Sequence, residues 1–390
     1  MKSSVIVSGF SRRLALAFVL GASALFLVQT DLGSASSTGR GLEPRGAVYA
    51  MTNEADGNRV VAYQRASNGQ LRLVGRFRTG GEGTGRIRLS SQNPVILNEN
   101  NTHLYVVDVG SDEISAFSVR PNARLRLIDK VSSGGTMPYS LALSPDESLL
   151  YVLNNGGMGA GNITGFEVND DGELTPLRNS TRPLSGNGTD PAQISFTPDG
   201  NNLVVTEKES NRILTYSVDG NGRPSAPTVH ASSGETPFGF AFTSNGEFVV
   251  TEAFDGIPGR AAASSYSLTG PSGLRTISPS VGDGHAEVCW TAISRDERYA
   301  YVTNFGDGTI SSYTVGTDGT IKLLEDVAAT TTPGELSVRD HDFSENGRFL
   351  YAIDIKSRKV HAWRLKANGR LEEIGAFAGL PATVAGMAAS

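Results

Sequence analysis

One apolar phrase returns seven times along the chain and restricts the fold more tightly than any other feature. It reads Val48-Tyr49-Ala50, Leu104-Tyr105-Val106, Leu150-Tyr151-Val152, Leu203-Val204-Val205, Phe248-Val249-Val250, Ala300-Tyr301-Val302 and Leu350-Tyr351-Ala352. The central residues 49, 105, 151, 204, 249, 301 and 351 are separated by 56, 46, 53, 45, 52 and 50 positions. A period of about 50 residues suits a four-stranded propeller blade. Each copy has the same internal order. In residues 138–178, Pro138 to Leu143 leads into the turn Ser144-Pro145-Asp146-Glu147, and Leu149 to Leu153 is a buried strand. A Gly-rich loop follows, then Ile163 to Val168, then the turn Asn169-Asp170-Asp171-Gly172 into Leu174 to Leu177. Strands rich in β-branched and aromatic residues alternate with turns in which positive φ is tolerated. The expected fold class is therefore all-β: a seven-bladed β-propeller of four-stranded antiparallel blades.

The first repeat starts at Ala47 with what should be its second strand, so its innermost strand is missing. Pro381-Ala382-Thr383-Val384-Ala385 matches Pro138-Tyr139-Ser140-Leu141-Ala142 and is expected to complete the first blade from the C-terminal end, closing the ring. A linear solenoid would instead need polar caps at both ends.

Residues 1–35 read as a cleaved signal peptide, 36–45 as a linker and 46–390 as the propeller. Lys2, Arg12 and Arg13 precede an apolar run from Leu14 to Val28, and Gly33-Ser34-Ala35 offers small residues for cleavage. The run is shorter than the roughly 20 residues that span a membrane. The expectation is export, to the periplasm or outside the cell, with no stable membrane insertion after cleavage. A net charge of -6 with scattered Lys and Arg argues against a nucleic-acid partner. A single cysteine, Cys289, leaves neither a disulfide framework nor a thiolate metal set. No cofactor or metal is expected, and the ring is expected to be a monomer.

Aligning the repeats places certain side chains at one rim of the ring, where loops on a rigid scaffold carry most binding groups. Ends of second strands bring Asp108, Asn154, Glu207, Glu252, Asn304 and Asp354. Starts of innermost strands bring Tyr139, Gln193, Phe238, Trp290, Arg339 and Asp340, with His285 and His341 nearby. Converging carboxylates beside an arginine can bind a hydroxyl-rich ligand or activate water. The competing reading is that Asp and Asn at strand ends bond backbone and terminate the strand. Asp340-His341-Asp342 has the composition of a metal triplet, but alternation in a strand points His341 away from both aspartates. Cys289 with His285 gives a nucleophile and a base four residues apart, against the commoner role of a buried Cys in packing.

The phrase Leu149-Leu150-Tyr151-Val152-Leu153-Asn154-Asn155, the turn Ser144-Pro145-Asp146 and Tyr299-Ala300-Tyr301-Val302-Thr303-Asn304 resemble the lactonase family of seven-bladed propellers, which includes propeller-type 6-phosphogluconolactonase and carboxymuconate cyclases. The resemblance covers roughly residues 46–389. It implies metal-independent opening or closing of a lactone in a channel-mouth site lined by His, Arg and Glu. The chain departs from that pattern at several places. Pro237-Phe238-Gly239 stands where Pro-Arg-His is usual, Thr303-Asn304-Phe305-Gly306 keeps the Asn but loses the Arg of Ser-Asn-Arg-Gly, and Pro191-Ala192-Gln193 lacks a His. Arg339 and Asn304 alone carry over.

Two functions follow as expectations. The first is an exported lactonase-like hydrolase of a small polar lactone. Glu207 or Glu252 would activate water, His285 transfer protons and Arg339 bind the substrate, while Asp108, Asn154, Gln193, Trp290, Asn304, Asp340 and Asp354 line the site. The second is a non-catalytic propeller that binds a glycan, peptide or protein on the same rim.

Overall fold

The computed structural model describes residues 44–270 and 273–390; the leader at 1–35 and nearly all of the linker at 36–45 lie outside the described residues. Seven antiparallel sheets follow one another, six of four strands and one of five. Every copy of the apolar phrase is a second strand, and its residues are almost fully excluded from solvent. Both faces of these strands are covered by neighbouring blades, which is why they read as near-continuous apolar runs rather than alternating ones.

In three of the five copies that carry one, the tyrosine in the phrase has a specific task. Tyr151 Oη donates to Gly222 O at 2.7 Å, Tyr351 Oη to Gly69 O at 2.8 Å, and Tyr301 Oη to Gly369 O. Each acceptor lies in the turn before the outermost strand of the next blade. A ring buried between sheets thus ends in a hydroxyl that satisfies a turn carbonyl, a bond worth about 1 kcal/mol beyond the burial itself. The Tyr351 bond runs from the seventh blade to the first.

Closure occurs as expected, but four residues later in the chain. The closing strand is Ala385–Ala389, antiparallel to Pro44–Met51, with Tyr49 opposite Ala388. Residues 381–384 form a turn, with Val384 N donating to Pro381 O. The third blade also departs from the simple pattern. Its outer edge is split into Leu174–Pro176 and Arg182–Asn187, both paired with Ala160–Val168, because the chain breaks away between them at 177–181.

In the second blade the innermost strand is only Val95–Leu97. The chain before it, from Thr79 to Pro94, does not pair as a strand but runs into the axis of the ring. That excursion accounts for the 56-residue spacing between Tyr49 and Tyr105, the longest of the six.

The closing strand is seated by a glycine. Gly386 has φ +74°, and a Cβ there would lie 2.2 Å from Pro94 Cγ in the second blade. Gly246, at φ +92°, has open space around the same position. Gly386→Val is expected to lower the melting temperature by roughly 5 °C or more, through strain and overlap together. Gly246→Ala, with strain alone, should cost less than half of that. Thermal unfolding followed by circular dichroism decides it, and equal losses would remove the closing strand from its assigned role.

Candidate functional site

The six residues at the second-strand ends do not gather around an opening. All six are fully buried between blades. Asp108 accepts from Asn58 Nδ2 at 2.9 Å, Thr79 Oγ1 at 2.6 Å and Ser115 Oγ at 2.6 Å. Glu207 accepts from Ser185 N at 2.9 Å, Ser210 Oγ at 2.6 Å and Ser185 Oγ. Glu252 accepts from Gly234 N at 2.8 Å, Ser264 Oγ at 2.5 Å and Ser280 Oγ at 2.6 Å. Asp354 accepts from Thr332 Oγ1 and Ser357 N, both at 2.7 Å. Asn154 Nδ2 donates to Ser133 O at 3.2 Å, and Asn304 Nδ2 to Ser311 Oγ at 2.8 Å. In every case except Asn304, whose partner lies in its own blade, one partner comes from the preceding blade or from the connection that leaves it. These are blade-to-blade clamps, so the expected roles of Glu207 and Glu252 in activating water, and of Asp108, Asn154, Asn304 and Asp354 in holding substrate, are corrected. These carboxylates are fully buried and commit their oxygens to two or three donors each from the protein itself, so they face no opening where a substrate could meet them.

Gln193 and Asp340 are also committed to neighbours. Gln193 Oε1 accepts from Phe240 N at 2.6 Å while its Nε2 donates to Phe240 O at 2.9 Å, joining the fourth and fifth blades. Asp340 accepts from Met387 N at 3.3 Å and Asp342 from Ala389 N at 2.9 Å, both on the closing strand. His341 points the other way and contacts Tyr301 O through Nε2 at 3.0 Å. Cys289 is buried with its thiol pushed up by desolvation, and His285 is held elsewhere, so the two are not a nucleophile and its base.

Arg339 and Trp290 do meet, at the axis and beneath the excursion from the first blade. Arg339 Nη1 donates to Ile87 O at 2.7 Å and Nη2 to Leu89 O. Its guanidinium lies 5.3 Å from the Trp290 ring centre and 5.7 Å from that of Phe305. Trp290 Nε1 donates to Ser91 O at 2.8 Å. Lys208 Nζ donates to Ser90 O at 2.7 Å, sits 3.1 Å from Asp190 Oδ2 and lies 5.0 Å from the Phe238 ring centre. Deeper in the channel, Gln92 Oε1 accepts from Thr291 N at 3.0 Å and its Nε2 donates to Thr291 O at 2.8 Å, while Gln92 N donates to Ala192 O at 3.1 Å. Residues 87–92 thus plug the axis from the loop-bearing face. The opposite end stays open as a cavity of about 520 Å³, lined among others by Gln193, Phe240, Phe242 and Asp342. Burial pushes Arg339 down to about 10 and lowers Lys208, because the charged forms have lost water.

On the rim between the fifth and sixth blades, His285 Nδ1 lies 2.7 Å from Asp307 Oδ2, with side chains 15% and 28% exposed. Thr309 Oγ1 donates to Asp307 Oδ1 at 2.6 Å, and His285 N to Asp283 Oδ1 at 3.0 Å. No hydrogen bond to His285 Nε2 is present among the described residues. Of the groups expected to be catalytic, His285 alone combines an orienting carboxylate with an uncommitted atom. Asp307 escaped the sequence reading because its partner lies 22 positions away. Lys208 and Gln92 escaped it because they bond main-chain carbonyls.

Burial also raises Asp283 to about 6 and Asp342 to about 7. A carboxyl whose folded pKa exceeds its unfolded value of roughly 3.9 favours the folded state while protonated. That advantage is lost as pH climbs from about 4 through these values. The melting temperature should therefore fall between pH 5 and pH 8. Asp342→Asn, which keeps an acceptor for Ala389 N, should recover part of the loss at pH 8 and little at pH 5; equal effects at both would contradict the burial argument.

A sequence profile described as "Lactonase, 7-bladed beta-propeller" matches residues 94–183, 160–256 and 252–383. Among curated proteins, an uncharacterized protein of Staphylococcus saprophyticus is 24% identical over 267 residues, covering 65% of this chain and 75% of the relative. Among solved structures, a protein from Lactobacillus plantarum superposes with TM-score 0.71 at 18% identity, covering 89% of this chain and all of that one (100%). The periplasmic gluconolactonase of Pseudomonas aeruginosa superposes with TM-score 0.66 at 16% identity, covering 88% and 98%. At these identities the two superpositions speak for the fold alone.

Proposed function

Since the chain belongs to the lactonase family of seven-bladed β-propellers, we propose that it is an exported hydrolase that opens a small polar lactone on the rim of the ring, with His285 as general base. The observation that carries this reading is the His285–Asp307 contact of 2.7 Å. With its proton on Nδ1 toward Asp307, His285 keeps Nε2 as an acceptor that no described residue occupies, the arrangement a base needs. Nε2 takes a proton from water as its oxygen attacks the lactone carbonyl. The tetrahedral oxyanion collapses, the ring C–O bond breaks, and the imidazolium returns the proton to the departing alkoxide, giving a hydroxy acid. Arg88 is half exposed and lies 3.4 Å from Glu287, two residues beyond His285; it is the cation we assign to the developing oxyanion. The leader-like sequence at 1–35 supports export, and one fold neighbour is the periplasmic gluconolactonase of P. aeruginosa.

A second reading, a non-catalytic ring that binds a glycan, peptide or protein, is favoured by one specific feature. The axial position where Arg339 would meet a substrate is already filled by the chain itself.

Assaying purified protein against a panel of small aldonolactones in a pH-stat separates the two. Under the first reading, His285→Gln should lower kcat by about 100-fold or more and Asp307→Asn by roughly 10-fold, in line with general-base contributions. Glu252→Gln should leave kcat of the folded fraction unchanged. Turnover that survives His285→Gln removes the assignment, and no turnover on any lactone leaves the binding reading.

A further inference from the structure

The plug is held in an unusual way. Four carbonyls within five consecutive residues, those of Ile87, Leu89, Ser90 and Ser91, accept from Arg339, Lys208 and Trp290, which come from three different blades. The main-chain N–H groups of residues 87–91 donate to nothing among the described residues, and none of these residues belongs to a strand. Leu89 is buried at 2% exposure within the apolar cluster shared by the first three blades, whereas Ile87 is 56% exposed. Arg88 lies 4.7 Å from the Phe305 ring centre. Side chains of the ring therefore grip this segment as they would grip a separate ligand, with a buried anchor, consecutive carbonyls and a stacked cation.

The grip is one-sided in its chemistry. Arg339 is 2% exposed, has no carboxylate within 4.0 Å among the described residues, and keeps an unpartnered Nε. Phe238, Trp290 and Phe305 form an aromatic wall beside the donors, of which Lys208 also pairs with Asp190 at 3.1 Å. Leaving such donors unpaired is costly, so the mouth requires an acceptor-bearing occupant. Its donors follow the chain over four residue steps, about 13 Å of extended backbone, which matches a peptide rather than a small anion.

We propose that the mouth of the ring is a receptor for an extended peptide, and that Ile87–Ser91 is its tethered occupant, displaceable by a peptide supplied in trans. The site shares Arg88 with the proposed lactonase rim but does not include His285 or Asp307, and peptide binding is read without lactone turnover. The recognised features are successive free carbonyls, a leucine at the position of Leu89 and an arginine before it. Tethering gives the resident segment an effective concentration in the millimolar range, which a free peptide must overcome.

The test uses the full ring with residues 86–91 replaced by a Gly-Ser linker of equal length. The probe is acetyl-Ile-Arg-Leu-Ser-Ser-amide, with a scrambled peptide and gluconate as comparators. Binding is read by tryptophan emission, since Trp290 lies in the site, and by thermal stabilisation. The opened ring should bind the probe saturably and at least 100-fold more tightly than the unmodified ring. Arg339→Gln or Lys208→Gln in the opened ring should weaken binding at least 10-fold. A second variant, Leu89→Gly, withdraws the anchor without removing the segment and should also gain probe binding, which covers failure of the linker variant to fold. Folded variants that bind gluconate but not the probe, or bind the scrambled peptide equally well, overturn the proposal.

Discussion

Seven sheets share one axis only if the last is fastened to the first, and every other property of the ring depends on that fastening. It is made at three depths. At the channel, the closing strand Ala385–Ala389 pairs with Pro44–Met51 and receives Asp340 and Asp342 from the seventh blade on its N–H groups. At mid-blade, apolar side chains of the first and seventh blades share one cluster that includes Val48, Val61, Tyr351 and Met387. At the far side, Tyr351 Oη reaches Gly69 O in the first blade. No single bond is strong, each contributing about 1 kcal/mol. Together they turn a stack with two open faces into a closed circle with none.

The same economy explains the acids. A buried carboxylate without partners would be strongly disfavoured, yet Asp108, Glu207, Glu252 and Asp354 sit fully buried. They are tolerated because serines, threonines, an asparagine and backbone N–H groups of two blades converge on them. Glycines in the preceding connection make the approach possible: a Cβ at Gly234 would lie 2.3 Å from Glu252 Oε2, and one at Gly81 would lie 2.5 Å from Asp108 Cγ. The acids orient blades through many short bonds.

Much of this was legible in the sequence, for an identifiable reason. Buried second strands repeat as apolar phrases, and hairpin turns repeat as Asp-Gly and Asn-Gly, so register and blade count follow from local chemistry. The strand-end residues were legible in position but not in role. Glu252 at the end of a strand has the same local sequence whether it faces a channel or a seam, and the choice depends on Gly234, Ser264 and Ser280, which local pattern does not connect to it. The axial plug was least legible of all. Its contacts are made by main-chain carbonyls, which carry no residue signature, and its only trace is the long spacing between the first two phrases. The position of the closing strand failed by four residues because Pro381-Ala382-Thr383-Val384 imitates the start of an innermost strand while forming a turn.

The departures from the lactonase pattern share one place in the fold, around the plug. Phe238 stands where an arginine is usual and packs 5.1 Å from Trp290, beside Lys208. Gly239 stands where a histidine is usual, and even a Cβ there would lie 2.0 Å from Gln92 Oε1. Phe305, in place of another arginine, lies under Arg88, while Ala192 offers its carbonyl to Gln92 N. Even a Cβ at Gly239 has no room beside Gln92, and Phe238 and Phe305 pack against residues that hold or belong to the segment. The positions that depart from the lactonase pattern thus lie around the segment that fills the axis. Any chemistry kept by such a ring must stand clear of that axis, and His285 with Asp307, on the rim between the fifth and sixth blades, does.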